Sequence, residues 1–163
     1  MKTHNVEKKI LILNGSPSGS KGNSAVLIKH LQKILKSTAK SEVVHLLDQQ
    51  YDKSLKKKIE AASALVFTTG TYWDSWGSPL QKLLEDMTEL EGSRALMGKP
   101  CAVFVLKHSV GGKSVLSRLQ GVLSTMGMLI PPMSGMVYSL VSDIALKGKD
   151  RKSTRLNSSH TDI

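Results

Sequence analysis

The chain has 163 residues, 40% of them hydrophobic and 22% charged, which suits one ordinary globular domain and argues against a disordered chain or a coiled coil. No apolar run approaches the length of a membrane span, Met1–Lys9 has no apolar leader core, and a single cysteine, Cys101, rules out an intrachain disulfide and a multi-cysteine metal site. The formal net charge is +10, a balance that attracts anionic partners in general, so nucleic acid, a membrane surface and an anionic small molecule all have to be weighed.

The first predicted strand is Lys9–Leu13, KILIL, a short apolar run of the kind buried in parallel sheets. Asn14–Ser24 is a loop by composition. From Ala25 the period changes, and Val26, Leu27, Leu31, Ile34 and Leu35 recur at helical spacing, with Asn23 or Ser24 placed to cap the helix. Glu42–Leu47 reads as a second strand and Leu55–Ala62 as a helix. Ala64–Thr69, ALVFTT, is a third strand, followed by a loop over Gly70–Ser78. Pro79 fits the first turn of a helix running to about Leu90, with Leu80, Leu83, Leu84 and Met87 on one face. Gly98-Lys99-Pro100 turns into a fourth strand, Cys101–Leu106. His108–Gly112 is a loop, and Val115–Met126 an amphipathic helix ended by Gly127. Met128–Ile130 is expected to begin a fifth strand, interrupted by Pro131-Pro132.

Strands and helices that alternate in this way predict an open, doubly wound α/β sheet with strand order 2-1-3-4-5. Residues 1–149 are expected to form one domain, with a final helix after the fifth strand that is cut short. Asp150–Ile163, containing DRKSTRLNSSH, has no helical or strand period and reads as a polar tail of non-native appearance. It carries three basic and two acidic residues, so the rest of the chain remains strongly basic without it.

In such sheets a ligand sits beyond the carboxyl ends of the strands, where the strand order reverses. The loops after strands 1, 3 and 4 meet there. The first supplies Ser16, Ser18, Ser20, Gly22, Asn23 and Ser24 and enters a helix. Small residues, hydroxyl donors and a helix N-terminus together suit a phosphate. The spacing is neither a P-loop nor GxGxxG, and a plain solvated turn is the competing reading. The second loop supplies Gly70, Thr71, Tyr72, Trp73 and Asp74, whose aromatics could pack against a flat heterocycle or against another subunit. The third supplies His108, Ser109, Val110, Gly111 and Gly112, where adjacent glycines permit close backbone approach and donors to a ring carbonyl. His108 has no acid or second histidine at a defined spacing, so no catalytic acid, base or nucleophile is nominated. No metal site is read. Lys107 and Lys113 are cations beside the third loop.

Taken together these residues resemble the NAD(P)H-dependent FMN reductase family of the flavodoxin-like superfamily. Asn14-Gly15-Ser16-Pro17-Ser18 through Gly22-Asn23-Ser24 is similar to that family's GSPR…GN[ST] phosphate loop, with Ser18 where Arg is common. Thr69-Gly70-Thr71-Tyr72-Trp73 and the following Gly77–Lys82 resemble its T-P-x-Y…S-x-x-L-K segment, with Gly70 where Pro is common. The resemblance spans about Lys9 to Pro132. It implies a flavodoxin-like three-layer sandwich that holds FMN by its phosphate in the first loop and by its ring in the other two. It also implies a homodimer or homotetramer, with a neighbour completing the site. The implied activity is transfer of hydride from NAD(P)H through FMN to a small electron acceptor such as a quinone, azo dye, flavin or metal ion; the composition, with no leader core or membrane span, leads to the expectation of a cytoplasmic protein. The alternatives are a flavodoxin-type electron carrier, against which the basic charge argues, and a flavin-free scaffold. No stretch interleaves arginine with aromatics, so nucleic acid is a weak candidate partner.

Overall fold

A computed structural model describes residues 8–108 and 110–139; the tail and the expected final helix lie outside them. The elements are β1 (Lys9–Asn14), α1 (Asn23–Leu35), β2 (Lys40–His45), α2 (Lys53–Ala61), β3 (Ala64–Gly70), α3 (Ser78–Asp86), β4 (Cys101–Lys107), α4 (Gly112–Thr125) and β5 (Gly135–Ser139). Short 3₁₀ turns precede α1 and follow α3. The five strands form one sheet of order 2-1-3-4-5, and every ladder is parallel.

The alternation within the central strands sorts the core into two layers, because successive side chains point to opposite faces. Leu11 and Leu13, Leu65 and Phe67, and Val103 and Val105 face the larger core, with Leu55 and Ile59 of α2, Leu80 and Leu83 of α3, and Val115, Leu119 and Leu123 of α4. Ile12 and Val66 face the other way, toward Ile28, Leu31 and Leu35 of α1. Among the described residues α1 alone covers that second face.

Local chemistry sets the helix ends. Asp52 caps α2, its carboxylate accepting from Leu55 N at 2.7 Å, and the helix therefore starts two residues before the first apolar position. Pro79 sits in the first turn of α3, as its missing N–H allows. The N-cap of α1 is Gly22, so neither Asn23 nor Ser24 caps it; both are already helical and no side chain occupies the cap.

The fifth strand differs from the sequence expectation. Met128–Ile130 is not a strand of the sheet. Leu129 makes a single bridge beside Pro100, through Leu129 N to Lys99 O at 3.0 Å and Cys101 N to Leu129 O at 2.9 Å. Pro131-Pro132 then cannot donate to a ladder, Met133 turns through a φ of 59°, and pairing resumes at Gly135. The apolar character of Met128 comes from its burial in the larger core.

Candidate functional site

The loops after β1, β3 and β4 leave the same edge of the sheet, at the point where the strand order reverses between β1 and β3. The loop after β1 is held from below by Asn14, which is wholly buried. Its Nδ2 donates to Gly19 O and to His45 Nδ1, both at 2.9 Å. Its Oδ1 accepts from Ser16 N at 3.2 Å and from Thr68 Oγ1 at 3.3 Å. One side chain thus joins the ends of β1, β2 and β3 to the loop. Ser16, buried, then accepts from Ser18 N at 3.2 Å. The loop also bonds its own backbone, Gly19 N to Ser16 O at 2.9 Å and Lys21 N to Ser18 O at 3.0 Å.

Glycine is needed where this loop meets the one after β3. A Cβ on Gly77 would stand 2.3 Å from Gly15 O, and one on Gly15 would stand 2.4 Å from Leu80 Cβ. The buried Thr69 fixes the return of the second loop, accepting from Gly77 N at 2.9 Å while donating to Gly70 O at 3.0 Å. Between these anchors Tyr72 and Ser75 exchange both backbone hydrogen bonds, at 2.8 and 2.9 Å. Trp73 and Asp74 form the two-residue turn with φ of 49° and 56°, the geometry of a type I′ hairpin. Arg118 of α4 donates to Asp74 O and lies 5.6 Å over the Trp76 ring. Asp74 in turn packs on Gly111, where a Cβ would fall 2.1 Å from its Oδ1 and φ is +80°. The second and third loops are locked together there.

A cleft of about 380 Å³ opens between the loops. Ser16, Ser18, Gly22, Asn23 and Ser24 line it from the first loop, Gly70, Thr71 and Tyr72 from the second, and His108 from the third. Lys21, Leu106 and Lys107 complete it. Ser20 is exposed in the 3₁₀ turn and does not line it. Trp73 is fully exposed at the tip of its turn, and Asp74 faces Gly111 rather than the cleft. Val110 is exposed, Gly111 and Gly112 begin α4 and do not line the cleft, and Lys113 lies in the first turn of that helix. Ser109 is outside the described residues.

The donor set fits a phosphate. Gly22 leaves the N-terminus of α1 without a side-chain cap, so its first amides are available to an incoming anion. A Cβ on Gly22 would come within 2.8 Å of Ser18 Cβ and 3.1 Å of Ser16 Oγ, filling the cradle. Lys21 and Lys107 add positive charge. Sequence reasoning did not single out Asn14 as a site residue, although an Asn ending a buried strand before a Gly-Ser loop carries the signal. Trp76, the third aromatic of the second loop, donates its Nε1 proton to Gln81 at 2.8 Å.

The family described as NADPH-dependent FMN reductase matches residues 8–139. No curated protein matches the chain. Among solved structures, RosB with a bound riboflavin-phosphate intermediate is 22% identical with a TM-score of 0.70, covering 81% of this chain and 65% of its own. The chain therefore spans just under two thirds of RosB. The NAD(P)H:acceptor oxidoreductase FerB of Paracoccus denitrificans is 24% identical (TM-score 0.65, 77% of this chain and 76% of that one). The NADH:FMN oxidoreductase EMOB is 22% identical (TM-score 0.68, 93% and 85%). These likenesses show the flavodoxin-like fold, and the family match shows more: the chain belongs to the NADPH-dependent FMN reductase family, a family of FMN-dependent oxidoreductases.

Proposed function

We propose that this chain holds FMN across the edge of β1, β3 and β4 and uses it to pass reducing equivalents from NAD(P)H to a small acceptor, a quinone, azo dye, free flavin or metal ion. The observation that carries the reading is the cleft itself: hydroxyls, an uncapped helix N-terminus and a glycine cradle at the point of strand-order reversal. When bound, FMN would supply the redox chemistry, accepting a hydride from the nicotinamide and passing on its two electrons, with a proton where the acceptor takes one.

The chain's own residues bind and orient. Ser16, Ser18, Asn23 and Ser24 donate to the phosphate, and Lys21 and Lys107 attract it. Gly70, Thr71, Tyr72 and His108 border the ring end. No side chain in the cleft is assigned a proton-transfer role. Trp73 supports a homodimer or homotetramer, because a fully exposed tryptophan at a rigid turn beside the cleft suits a contact with a second copy. The protein would work in the cytoplasm.

The test is spectroscopic. Protein mixed with FMN and desalted should carry two flavin absorbance bands. Anaerobic NADH or NADPH should bleach them, and a quinone added alone should restore them. Retained flavin that a nicotinamide does not reduce would identify an electron carrier instead. A folded, colourless protein would identify a flavin-free scaffold.

A further inference from the structure

Tyr72 stands at the seam of two clefts. On one side is the 380 Å³ cleft of the first loop; on the other is a cleft of about 630 Å³ lined by Pro17, Ser75, Trp76, Gln81 and Glu85, among others. Tyr72 is common to both, and Pro17 lies between Ser16 and Ser18, which line the first. The phenol ring rests on Gly70: a Cβ there would lie 2.9 Å from both Cε2 and the hydroxyl oxygen. The hydroxyl reaches across the cleft to Ser16 Oγ at 3.4 Å.

The two walls of the seam differ in how firmly they are held. Trp76 is fixed by Gln81 at its Nε1 and by Arg118 over its ring. Tyr72 is partly exposed, and its hydroxyl is held by one contact at the long end of hydrogen-bond range. Either oxygen can be the donor in that contact. A ligand ring that follows its phosphate into the first loop breaks only this one long bond when it displaces the phenol.

We propose that the two clefts are halves of one site for a phosphorylated ring molecule, divided at rest by Tyr72, and that Gly70 is the specificity-determining residue that lets Tyr72 close it. The proposal rests on the flavin reading above and deepens it. Phosphate enters the first cleft beside Ser16. Tyr72 leaves the seam, and the flat ring extends along it toward Trp76. The ring face of Tyr72 is then free to pack on the ligand. Any residue larger than glycine at 70 evicts the phenol through its Cβ and holds the site open.

Two measurements test this. In the flavin-free protein the Gly70 Hα resonances should be displaced by the Tyr72 ring current relative to the Tyr72→Leu variant. Saturating FMN should move them to the position seen in that variant. In stopped-flow quenching of flavin fluorescence, Tyr72→Phe, which loses the Ser16 contact, should take up FMN several-fold faster than the wild type. Gly70→Ala should do the same, and Tyr72→Phe stands alone if that variant does not fold. FMN binding only to the variants would also support the divider. Binding with the Gly70 signals unmoved and equal association rates would overturn it and leave the flavin reading intact. Failure of FMN to bind the wild type and every variant would overturn both.

Discussion

Asn14 shows how one residue can decide the shape of a site. It is wholly buried, and its amide satisfies four groups on two neighbouring strands and a loop. Removing it strands Gly19 O and Ser16 N away from their partner, and unsatisfied buried groups cost about 1–3 kcal/mol each. Asn14→Ala should lower unfolding free energy by about 2–4 kcal/mol in urea denaturation and weaken FMN binding. A variant as stable as the wild type would show that the loop holds itself. The serines and glycines around Asn14 were legible in the sequence, because their chemistry is local. Asn14's role was not, because its partners His45 and Thr68 are distant in sequence and meet only through the register of the sheet. Cys101 belongs to this scale too: burial in the larger core pushes its thiol up to about 11, so it acts as a small apolar side chain and not a nucleophile.

At the scale of elements, the apolar strands β1, β3 and β4 and the amphipathic helices were legible because burial on one or both faces writes itself into the residue pattern. The edge strand β5 was not. Gly135–Ser139 is only partly buried, so it has no continuous apolar run, and the neighbouring Met128–Ile130 carries the stronger signal. The second loop was read as aromatic, but its hairpin was hidden, since Trp-Asp lacks the usual Asn-Gly signature of a type I′ turn. A tryptophan at φ 49° is an unfavourable conformation that asparagine tolerates better. Trp73→Asn should therefore raise the unfolding free energy by about 1 kcal/mol at low protein concentration. In sedimentation velocity it should shift the protein toward monomer. Unchanged stability together with an unchanged sedimentation coefficient would contradict both the strain and the proposed contact.

For the molecule as a whole, the +10 charge suits an anionic ligand, and Glu42 ties neighbouring elements together. Glu42 of β2 bonds Lys9 of β1 at 2.6 Å and Lys58 of α2 at 3.1 Å. Those hydrogen bonds, Lys9 first, hold its carboxyl below the ordinary 4.5. A carboxyl lowered on folding stabilises the protein above its unfolded value and loses that contribution as pH falls through the folded one. The pair is partly exposed, so the effect is at most about 1 kcal/mol. Glu42→Gln should melt slightly below the wild type at pH 7, and the gap should narrow as pH falls below 4.5. A gap that does not narrow on acidification would assign the loss to packing.

The central claim is that the first loop is a phosphate cradle, and the most direct measurement compares FMN with riboflavin, which differs only by the phosphate. Titrations followed by flavin fluorescence should show FMN binding at least about ten-fold tighter, a difference of about 1.4 kcal/mol. Equal affinity for the two flavins would contradict the account, because the hydroxyls, the glycine cradle and the uncapped end of α1 would then be holding nothing.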